Sequence, residues 1–384
     1  MQMMTSGPKP RESTLEEQLD AMTREGEIYE RLPEEKVRCY ACGHRCRIGP
    51  GHRGACRVRF NQGGELRVPW GYVATVLNDP IEKKPFFHVM PGADVLTFGM
   101  MGCDLHCSYC QNWRTSQTLR DSAAGVGLKG VSPDHLVALA LKEGATVIAS
   151  SYNEPLITAE WSTAVFRRAR EAGLKCAFIS NGNATPEVLD YLRPWVDFYK
   201  IDLKTMSHRN YLRLGANLNN ILESIEMVFR KGFWLEVVTL LVPGWNTSDE
   251  EIRAAAQFLK SISPDVPWHL WNFHRDYRMR EPDNASAKLL VRAASIGREE
   301  GLNYVYAGVM PALLDDFENT RCPSCRALLV RRIGYQVTHY YITKDGDCPQ
   351  CGTRIPGVWP NRPETVRTGI DGLWFERRSR SVAI

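Results

Sequence analysis

The sequence predicts an α/β protein built on a partial (β/α)6 barrel of the TIM type, with small cysteine-rich metal-binding modules at its N-terminal and C-terminal ends. Two observations predict this class. Short apolar runs alternate with amphipathic helical stretches from about residue 93 to residue 308, and eleven of the twelve cysteines fall into three groups. Alternating strands and helices imply βαβ units and therefore a parallel sheet. Six or seven such units suit an open or partial barrel.

Composition limits the kind of protein this is. A chain of 384 residues with 43% hydrophobic and 24% charged residues is typical of a globular protein and excludes a mostly disordered chain. The net charge of +4 argues against a nucleic-acid partner. No apolar run approaches the roughly 18–20 residues that span a bilayer. Residues 1–17 lack the apolar stretch of a secretory signal, so we expect a cytoplasmic protein without a membrane contact.

Changes in composition along the chain predict four segments. We expect residues 1–12 to be disordered and a helix to begin near Ser13 and to continue to about residue 30. The predicted segments are residues 1–36, a tail and helix; residues 37–92, a four-cysteine module; residues 93–310, the barrel; and residues 311–384, a zinc-ribbon or rubredoxin-like module and tail.

Seven short apolar runs are the predicted strands of the barrel. Helices are predicted between them, and Ser132-Pro133 and Thr185-Pro186 each place an N-cap residue before a proline at the first helical position. The predicted strands cover residues 95–98, 146–149, 176–179, 198–201, 235–242, 268–271 and 304–306.

The central motif is Cys103-x3-Cys107-x2-Cys110, which directly follows the first predicted strand of the barrel. Three thiolates on one short loop can each bind one iron of a [4Fe–4S] cube. The fourth iron then has no cysteine, and an open coordination position is typical of a catalytic metal. The alternative is a three-cysteine zinc site completed by His106 or a distant ligand. The x3/x2 spacing, with Tyr109 before the third cysteine, is uncommon in zinc knuckles.

This loop resembles the motif of the radical S-adenosylmethionine (SAM) superfamily. In that family the amine and carboxylate of SAM bind the free iron, and electron transfer cleaves SAM to methionine and a 5′-deoxyadenosyl radical. The resemblance implies that Cys103, Cys107 and Cys110 are the catalytic cluster ligands and that Tyr109 packs near the adenine. The motif also lies at the C-terminal end of a strand, where the βα loops of a barrel build active sites.

Further candidate SAM contacts follow other predicted strands at the same end of the barrel. Taken singly, each is an ordinary helix-start acid, surface ion pair or structural histidine, and only their common position favours a binding site. The Glu154 carboxylate would accept a hydrogen bond from the cationic amine of SAM. The resemblance assigns Tyr152, Asn153 and Glu154 after the second strand, Ser180 and Asn181 after the third, Asp202 and Lys204 after the fourth, and His274 after the sixth.

The two flanking cysteine groups predict further metal sites. Near the C-terminus, paired Cys-Pro-x-Cys turns suit a structural tetrahedral zinc ion, although a rubredoxin-type iron centre uses nearly the same pattern. The N-terminal group suits zinc, which we favour slightly, or an auxiliary [4Fe–4S] cluster, and His44 is an alternative ligand there. Cys176 lies in an apolar run and is predicted to be a core residue. The groups are Cys39, Cys42, Cys46 and Cys56, and Cys322, Cys325, Cys348 and Cys351.

The order of motifs from about residue 36 to residue 360 resembles a narrower family, the AmmeMemoRadiSam system radical SAM enzymes, relatives of the pyruvate formate-lyase activating enzyme. The cysteine head, the segment Asp79-Pro-Ile-Glu-Lys-Lys-Pro85, the SAM loop and Ile355-Pro-Gly-Val-Trp359 carry this resemblance. It implies Memo-like and Ammecr-like proteins as partners. It supplies no substrate, and we expect a flavodoxin or ferredoxin as the reductant.

Three functions follow from these patterns. We favour a radical SAM enzyme that abstracts hydrogen from a small molecule or a protein residue. An activase that forms a glycyl radical on a partner enzyme is the alternative. A zinc-ribbon binding module without catalysis is the third candidate, and it leaves the polar residues at the strand ends unexplained.

Overall fold

The computed structural model describes residues 13–281, 283–308, 315–369 and 379–384. The predicted disorder of residues 1–12 and the predicted boundary at residue 310 lie outside these ranges. Within them, no helix is both long enough and apolar enough to cross a lipid bilayer.

The N-terminal region consists of one helix and short antiparallel strands. The strands form two three-stranded sheets, in the orders β1-β6-β5 and β2-β3-β4; Cys39 ends β3, and the other three cysteines lie in the loops that connect β3, β4 and β5. The elements are α1 (Leu15–Ala21), β1 (Thr23–Glu25), β2 (Tyr29–Arg31), β3 (Val37–Cys39), β4 (Arg47–Ile48), β5 (Phe60–Gln62), β6 (Glu65–Pro69), β7 (Tyr72–Val73) and β8 (Thr75–Pro80).

The first helix is shorter than the sequence predicts. Thr14 caps it in a reciprocal capping box with Glu17, but the helix ends at Ala21. The residues that follow, Thr23–Glu25, pair antiparallel with β6. Pairing with a neighbouring strand overrides the weak helical preference of this segment. The prediction of a helix through residue 30 is therefore wrong beyond residue 21.

Seven parallel strands form the centre of the molecule, and all seven apolar runs predicted from the sequence are strands. They are buried along most of their length, which explains their nearly continuous apolar sequences. The strands after β8 are β9 (Asp94–Gly99), β10 (Lys129–Gly130), β11 (Val147–Ser150), β12 (Lys175–Ser180), β13 (Phe198–Asp202), β14 (Trp234–Leu241), β15 (Trp268–Asn272) and β16 (Val305–Gly308). Only β10 lies outside the parallel set, since it pairs with β7.

Helices connect each parallel strand to the next. Ser132 and Thr185 cap α3 and α5 as predicted, since their side chains accept hydrogen bonds from His135 N and Val188 N. The helices are α2 (Trp113–Ser116), α3 (Pro133–Lys142), α4 (Ala159–Glu171), α5 (Pro186–Leu192), α6 (His208–Leu214), α7 (Leu218–Arg230), α8 (Asp249–Ile262) and α9 (Ala287–Glu299).

The parallel strands stand in the sheet in their chain order, β9-β11-β12-β13-β14-β15-β16, as in a barrel. β8 pairs antiparallel with β9 at one edge. In the part of the chain that the structure describes, no pairing joins β16 back to the other edge, so the sheet is open. The protein is an α/β protein of this partial-barrel class, and the C-terminal ends of its parallel strands face one rim.

The C-terminal region adds a small antiparallel sheet in the order β17-β18-β19. Its elements are α10 (Asp315–Glu318), β17 (Thr320–Arg321), β18 (Leu328–Ile333), β19 (Gln336–Tyr340) and β20 (Arg380–Ser381). β20 pairs with β8 and so joins the central sheet. The domain limits read from the sequence stay predictions; β8, which they assign to the N-terminal module, is a strand of the central sheet.

A buried carboxylate on β14 joins the central sheet to the segment after β8. Glu236 accepts hydrogen bonds from Phe87 N at 3.0 Å, His88 N at 2.9 Å and His269 Nε2 at 2.6 Å. Burial lowers the pKa of His88 to about 4, so its ring is neutral. Because a carbonyl oxygen can only accept, His88 Nδ1 donates to the carbonyl oxygen of Pro356 at 2.6 Å, which extends the network to the C-terminal region.

Replacing Glu236 with alanine should lower the free energy of unfolding by at least about 3 kcal/mol, because several buried donors lose their acceptor at once. The matched control is Glu226→Ala, which removes a partly exposed pair with Arg230 worth about 0.5 kcal/mol or less. Urea unfolding monitored by tryptophan fluorescence measures both variants. Similar midpoints for the two variants would show that the network is not structurally important.

Candidate active site

The cysteine loop begins where β9 ends, and a glycine permits its course. A Cβ atom on Gly99 would lie 2.8 Å from the backbone oxygen of Ser151, closer than real Cβ contacts allow. The ends of β9 and β11 can therefore approach only because residue 99 has no side chain. The loop is fixed further by Met100 N, which donates to Asn153 Oδ1 at 2.9 Å, and by His106 N, which donates to Leu214 O at 3.0 Å.

The three thiols of this loop line one cavity of about 150 Å³. Leu105 N donates to Cys103 Sγ at 3.3 Å, and Ser116 Oγ lies 3.1 Å from Cys110 Sγ. No three ligand atoms of the loop lie within 4.8 Å of one another, as they would around a single ion. The ring of His106, the other ligand of the zinc alternative, belongs to an exposed residue. The loop therefore fits a cluster in which each thiolate binds a different iron better than it fits one zinc ion.

The predicted SAM contacts line this cavity or the cavity beside it, with one exception. Tyr109 lines an adjoining cavity of about 270 Å³, which shares Cys107 and Cys110 with the first. His274 lines neither cavity: it is exposed, and its Nδ1 lies 2.9 Å from Nε2 of Gln111. The predicted residues that line the smaller cavity with the cysteines are Tyr152, Asn153, Glu154, Ser180, Asn181, Asp202 and Lys204.

Glu154 is buried, and the chain itself satisfies most of its carboxylate. Ser180 Oγ and Asn181 N each donate to it at 2.7 Å, and Leu156 N donates at 3.1 Å. A carboxylate has about four acceptor positions, so about one is free for a ligand in the cavity. Burial, together with the nearby charge of Asp104, raises the pKa of Glu154. A cationic ligand would relieve that unfavourable charge.

Asp104 is a site residue that the sequence reasoning missed. Its side chain is fully buried beside Cys103, and it accepts hydrogen bonds of 2.7 Å from Asn181 Nδ2 and from Asn183 Nδ2. The available signal was an acidic residue directly after the first cysteine of the loop. Asp104 ties the cysteine loop to the loop that follows β12.

Two lysines flank Asp202 at the end of β13. Lys204 Nζ lies 3.3 Å from Asp202 Oδ2, and Lys200 contacts Oδ1. Burial opposes ionisation of Asp202, but the charges of the two lysines outweigh it and lower the pKa of this carboxyl. Lys200 was also missed, and its signal was a lysine within an otherwise apolar strand. Both lysines line both cavities.

A second missed group comes from the segment after β8. Lys84 lines the larger cavity, and its Nζ lies 2.6 Å from Asp79 Oδ2 and 2.8 Å from the hydroxyl of Tyr152. Tyr152 adopts a φ of 70°, which is rare for a residue with a large side chain. Such strain costs about 1–3 kcal/mol and is common at functional sites. The sequence reasoning quoted the Asp79–Pro85 motif but assigned it no role.

The flanking cysteine groups differ in geometry. In the C-terminal group the sulfurs of Cys322 and Cys351, and of Cys325 and Cys348, lie 3.6 Å apart, and all four thiols lie within 4.8 Å of one another. A tetrahedral ion with bonds of about 2.3 Å to sulfur requires sulfurs about 3.8 Å apart. This group therefore fits a single metal ion. The N-terminal thiols do not form such a group, although hydrogen bonds join their segments: Cys39 N donates to Cys46 O at 3.0 Å, and Ala55 N donates to Cys46 Sγ at 3.3 Å.

Comparisons with known proteins agree with this geometry. A family model described as the radical SAM superfamily matches residues 99–259. An uncharacterized protein of Methanocaldococcus jannaschii is 34% identical over 337 residues, which cover 86% of this chain and 98% of that protein. An isethionate sulfite-lyase activating enzyme of Desulfovibrio desulfuricans is 26% identical over 128 residues, which cover 33% of this chain and 41% of that enzyme.

Among solved structures, a domain of the pyruvate-formate lyase-activating enzyme from Bacteroides vulgatus is similar. The two chains are 22% identical, with a TM-score of 0.38, and the match covers 42% of this chain and 98% of that domain.

The pH dependence of the free energy of unfolding tests the environment of Lys84. Burial lowers its pKa to about 8, although Asp79 opposes the shift. The unfolded chain keeps this lysine protonated up to its ordinary pKa of about 10.5, so unfolding takes up a proton between pH 8 and pH 10.5. The free energy of unfolding of the wild type should therefore rise relative to Lys84→Met by about 3 kcal/mol across that window.

Urea unfolding at pH 7, 8, 9 and 10 measures this difference. Lys142→Met, at an exposed position, is the control and should follow the pH dependence of the wild type. If the Lys84→Met and wild-type curves also stay parallel above pH 8, the pKa of Lys84 is not lowered.

Proposed function

Because the chain belongs to the radical SAM superfamily, we propose that it is an enzyme that cleaves SAM reductively and abstracts hydrogen from a small molecule or a protein residue. One observation carries the proposal: three thiols on the loop after β9 share a cavity with polar side chains from the ends of three neighbouring parallel strands, β11, β12 and β13. When bound, a [4Fe–4S] cube and SAM would together supply a 5′-deoxyadenosyl radical at this rim.

The protein's part in this reaction is to hold and orient the cofactors. Cys103, Cys107 and Cys110 would bind three irons, and Leu105 N and Ser116 Oγ stabilise two of the thiolates by hydrogen bonds. Burial raises the pKa of Cys107 to about 12 in the absence of a metal. Cluster binding would therefore have to displace protons from thiols that are otherwise neutral.

Charged groups at the rim suit a zwitterionic amino-acid moiety. The remaining acceptor position of Glu154 suits the cationic amine of SAM, and Asp202 with Lys204 offers one charge of each sign. Tyr109 is buried against Trp245, with ring centroids 6.2 Å apart, at the wall of the larger cavity. This placement supports its predicted contact with the adenine.

The larger cavity favours a ligand with an anionic group. Four lysines and one acid, Asp202, line it. Opposite charges attract strongly where the wall excludes water. The lysines are Lys83, Lys84, Lys200 and Lys204.

A glycyl-radical activase is the second candidate. It is favoured by the likeness of a third of the chain to an isethionate sulfite-lyase activating enzyme, of which the chain spans less than half. A glycyl radical detected by EPR on a partner enzyme would favour this candidate, whereas turnover of a soluble metabolite would favour the first. A zinc-ribbon module without catalysis leaves the cavity at the cysteine loop without a purpose.

The remaining parts of the proposal concern partners and metals. We include zinc at the C-terminal group, a flavodoxin or ferredoxin as the reductant, and a location in the reducing cytoplasm, where grouped thiols stay available to metals. The AmmeMemoRadiSam assignment, with Memo-like and Ammecr-like partners, rests on the order of sequence motifs.

Replacing Cys107 with alanine should abolish SAM-dependent release of 5′-deoxyadenosine, because the cube loses one of its three protein ligands. The zinc content per chain should not change. The measurement is chromatography of anaerobic reactions reduced with dithionite. Cys176→Ala, a core cysteine outside the three groups, is the control and should keep the activity. Deoxyadenosine from the Cys107 variant at the wild-type rate would refute the proposal.

Replacing Glu154 with glutamine should weaken SAM binding about 10–100-fold, the equivalent of a charge-assisted hydrogen bond worth about 1.5–3 kcal/mol. The iron content should stay close to that of the wild type, since Glu154 is not a cluster ligand. Anaerobic calorimetry measures the affinity, and Glu226→Gln serves as the surface control. Unchanged affinity would remove Glu154 from the SAM site.

A further inference from the structure

We propose that Cys39, Cys42, Cys46 and Cys56 hold an auxiliary [4Fe–4S] cluster that passes electrons to the cube at the cysteine loop. The assignment of the cluster does not depend on the proposed function. The electron-transfer role does rest on the proposed function. The proposal replaces the zinc ion that the sequence alone slightly favours at this position.

The four thiols belong to one site. Ala55 N, next to Cys56 in the chain, donates to Cys46 Sγ at 3.3 Å. Cys39 N donates to the backbone oxygen of Cys46 at 3.0 Å, which joins the two ends of the first loop. Cys39, Cys42 and Cys56 are buried at 5–7% exposure, so these three face the interior of the module rather than solvent.

The distances between the sulfur atoms distinguish a site for an iron–sulfur cluster from a site for a single metal ion. No three of these thiols lie within 4.8 Å of one another, whereas the C-terminal thiols do. The thiols of the cysteine loop, Cys103, Cys107 and Cys110, likewise do not all lie within 4.8 Å of one another. One zinc ion would draw sulfurs to about 3.8 Å from each other, while a cube binds each cysteine through a different iron and holds them further apart.

A buried N–H donor near these thiols, on Arg59, has no acceptor in the part of the chain that the structure describes. Arg59 is 1% exposed, and its Nε has no hydrogen-bond partner among the residues that the structure describes. Its other nitrogens bind Glu160 at 2.7 and 2.8 Å. The charge of Arg59 acts on both Cys39 and Cys56. Hydrogen bonds to cluster sulfurs are among the factors that set reduction potential, and the free N–H of Arg59 suits that role.

The module packs directly against the cysteine loop of the active site. Gly43 N donates to Asn183 O at 2.7 Å, and a Cβ atom on Gly43 would lie 2.4 Å from Asn183 Oδ1. His44 Nε2 lies 3.3 Å from the backbone oxygen of Asp104, the neighbour of Cys103. Asp104 and Asn183 are themselves hydrogen-bonded, so the two cysteine loops share one polar contact.

The direction of electron flow follows from the position of the module. No residue between 39 and 56 lines either described cavity, so the auxiliary site lies outside the space for SAM and substrate. This position suits electron entry rather than chemistry on the substrate. One electron from a reduced flavodoxin or ferredoxin would reduce the auxiliary cluster, which returns to its oxidised state as it reduces the cube. No bond forms or breaks in this step.

Metal content tests the assignment without any assay of activity. We expect about eight irons and one zinc per chain in the reconstituted wild type, and about four irons in a variant with Cys103, Cys107 and Cys110 all replaced by alanine. Mössbauer spectra of that variant should show a [4Fe–4S] cluster. About four irons and two zinc ions in the wild type would overturn the auxiliary cluster. A wild type with only about four irons, all of which survive the triple substitution and are lost when Cys39 is replaced, would refute only the proposed function.

Two measurements test the electron-transfer role. The auxiliary cluster of the triple variant should be reduced by reduced flavodoxin or ferredoxin, as followed by EPR. In Cys42→Ala, the rate of SAM cleavage with the protein reductant, divided by the rate with dithionite, should fall at least about tenfold below the wild-type ratio. Cys176→Ala should keep the wild-type ratio. An auxiliary cluster that the protein reductant leaves oxidised, or an unchanged ratio in Cys42→Ala, would overturn the role.

Discussion

The active-site rim depends on the way the buried carboxylate of Asp104 is satisfied. A buried charge is tolerated only when hydrogen bonds replace its water, and here two asparagine amides do so. Because Asn181 and Asn183 lie on the loop after β12, the carboxylate fixes that loop to the cysteine loop after β9. Asn183 also accepts from Asn220 on α7 at 2.7 Å, so the constraint reaches the helical layer. A small shift of Asp104 would therefore move the elements around the cavity together.

Much of the fold could be predicted because its signals are local. The seven strands are apolar runs, and Ser132 and Thr185 carry helix-start chemistry in their own neighbourhoods. The prediction made the first helix too long because Thr23–Glu25 pairs with β6, whose residues lie some forty positions further along the chain. Local patterns cannot reveal such a partner, so tertiary pairing is where the sequence reasoning failed.

In the site, too, the residues with local sequence signals were predicted, and those that depend on distant contacts were missed. The cysteine loop and the polar residues after the strands are local motifs, and the structure brings them to two adjoining cavities, except for His274. Lys84 and Lys200 were missed because their importance comes from where the chain places them. Lys84 reaches the cavity from the segment after β8, which precedes the cysteine loop, and it contacts Tyr152 from a later loop. A lysine in an apolar strand, as at residue 200, is the kind of local conflict that marks such positions.

The pairing of β20 with β8 has a consequence for association between molecules. An exposed edge strand offers unpaired backbone groups to any other chain with an extended segment, which is a route to aggregation. Arg380 and Ser381 occupy this position beside Asn78 and Leu77. Arg380 also places a positive charge there, 4.0 Å from Asp94. The two residues of β20 thereby cover the middle of β8, at one border of the largest sheet, against the addition of a strand from another molecule.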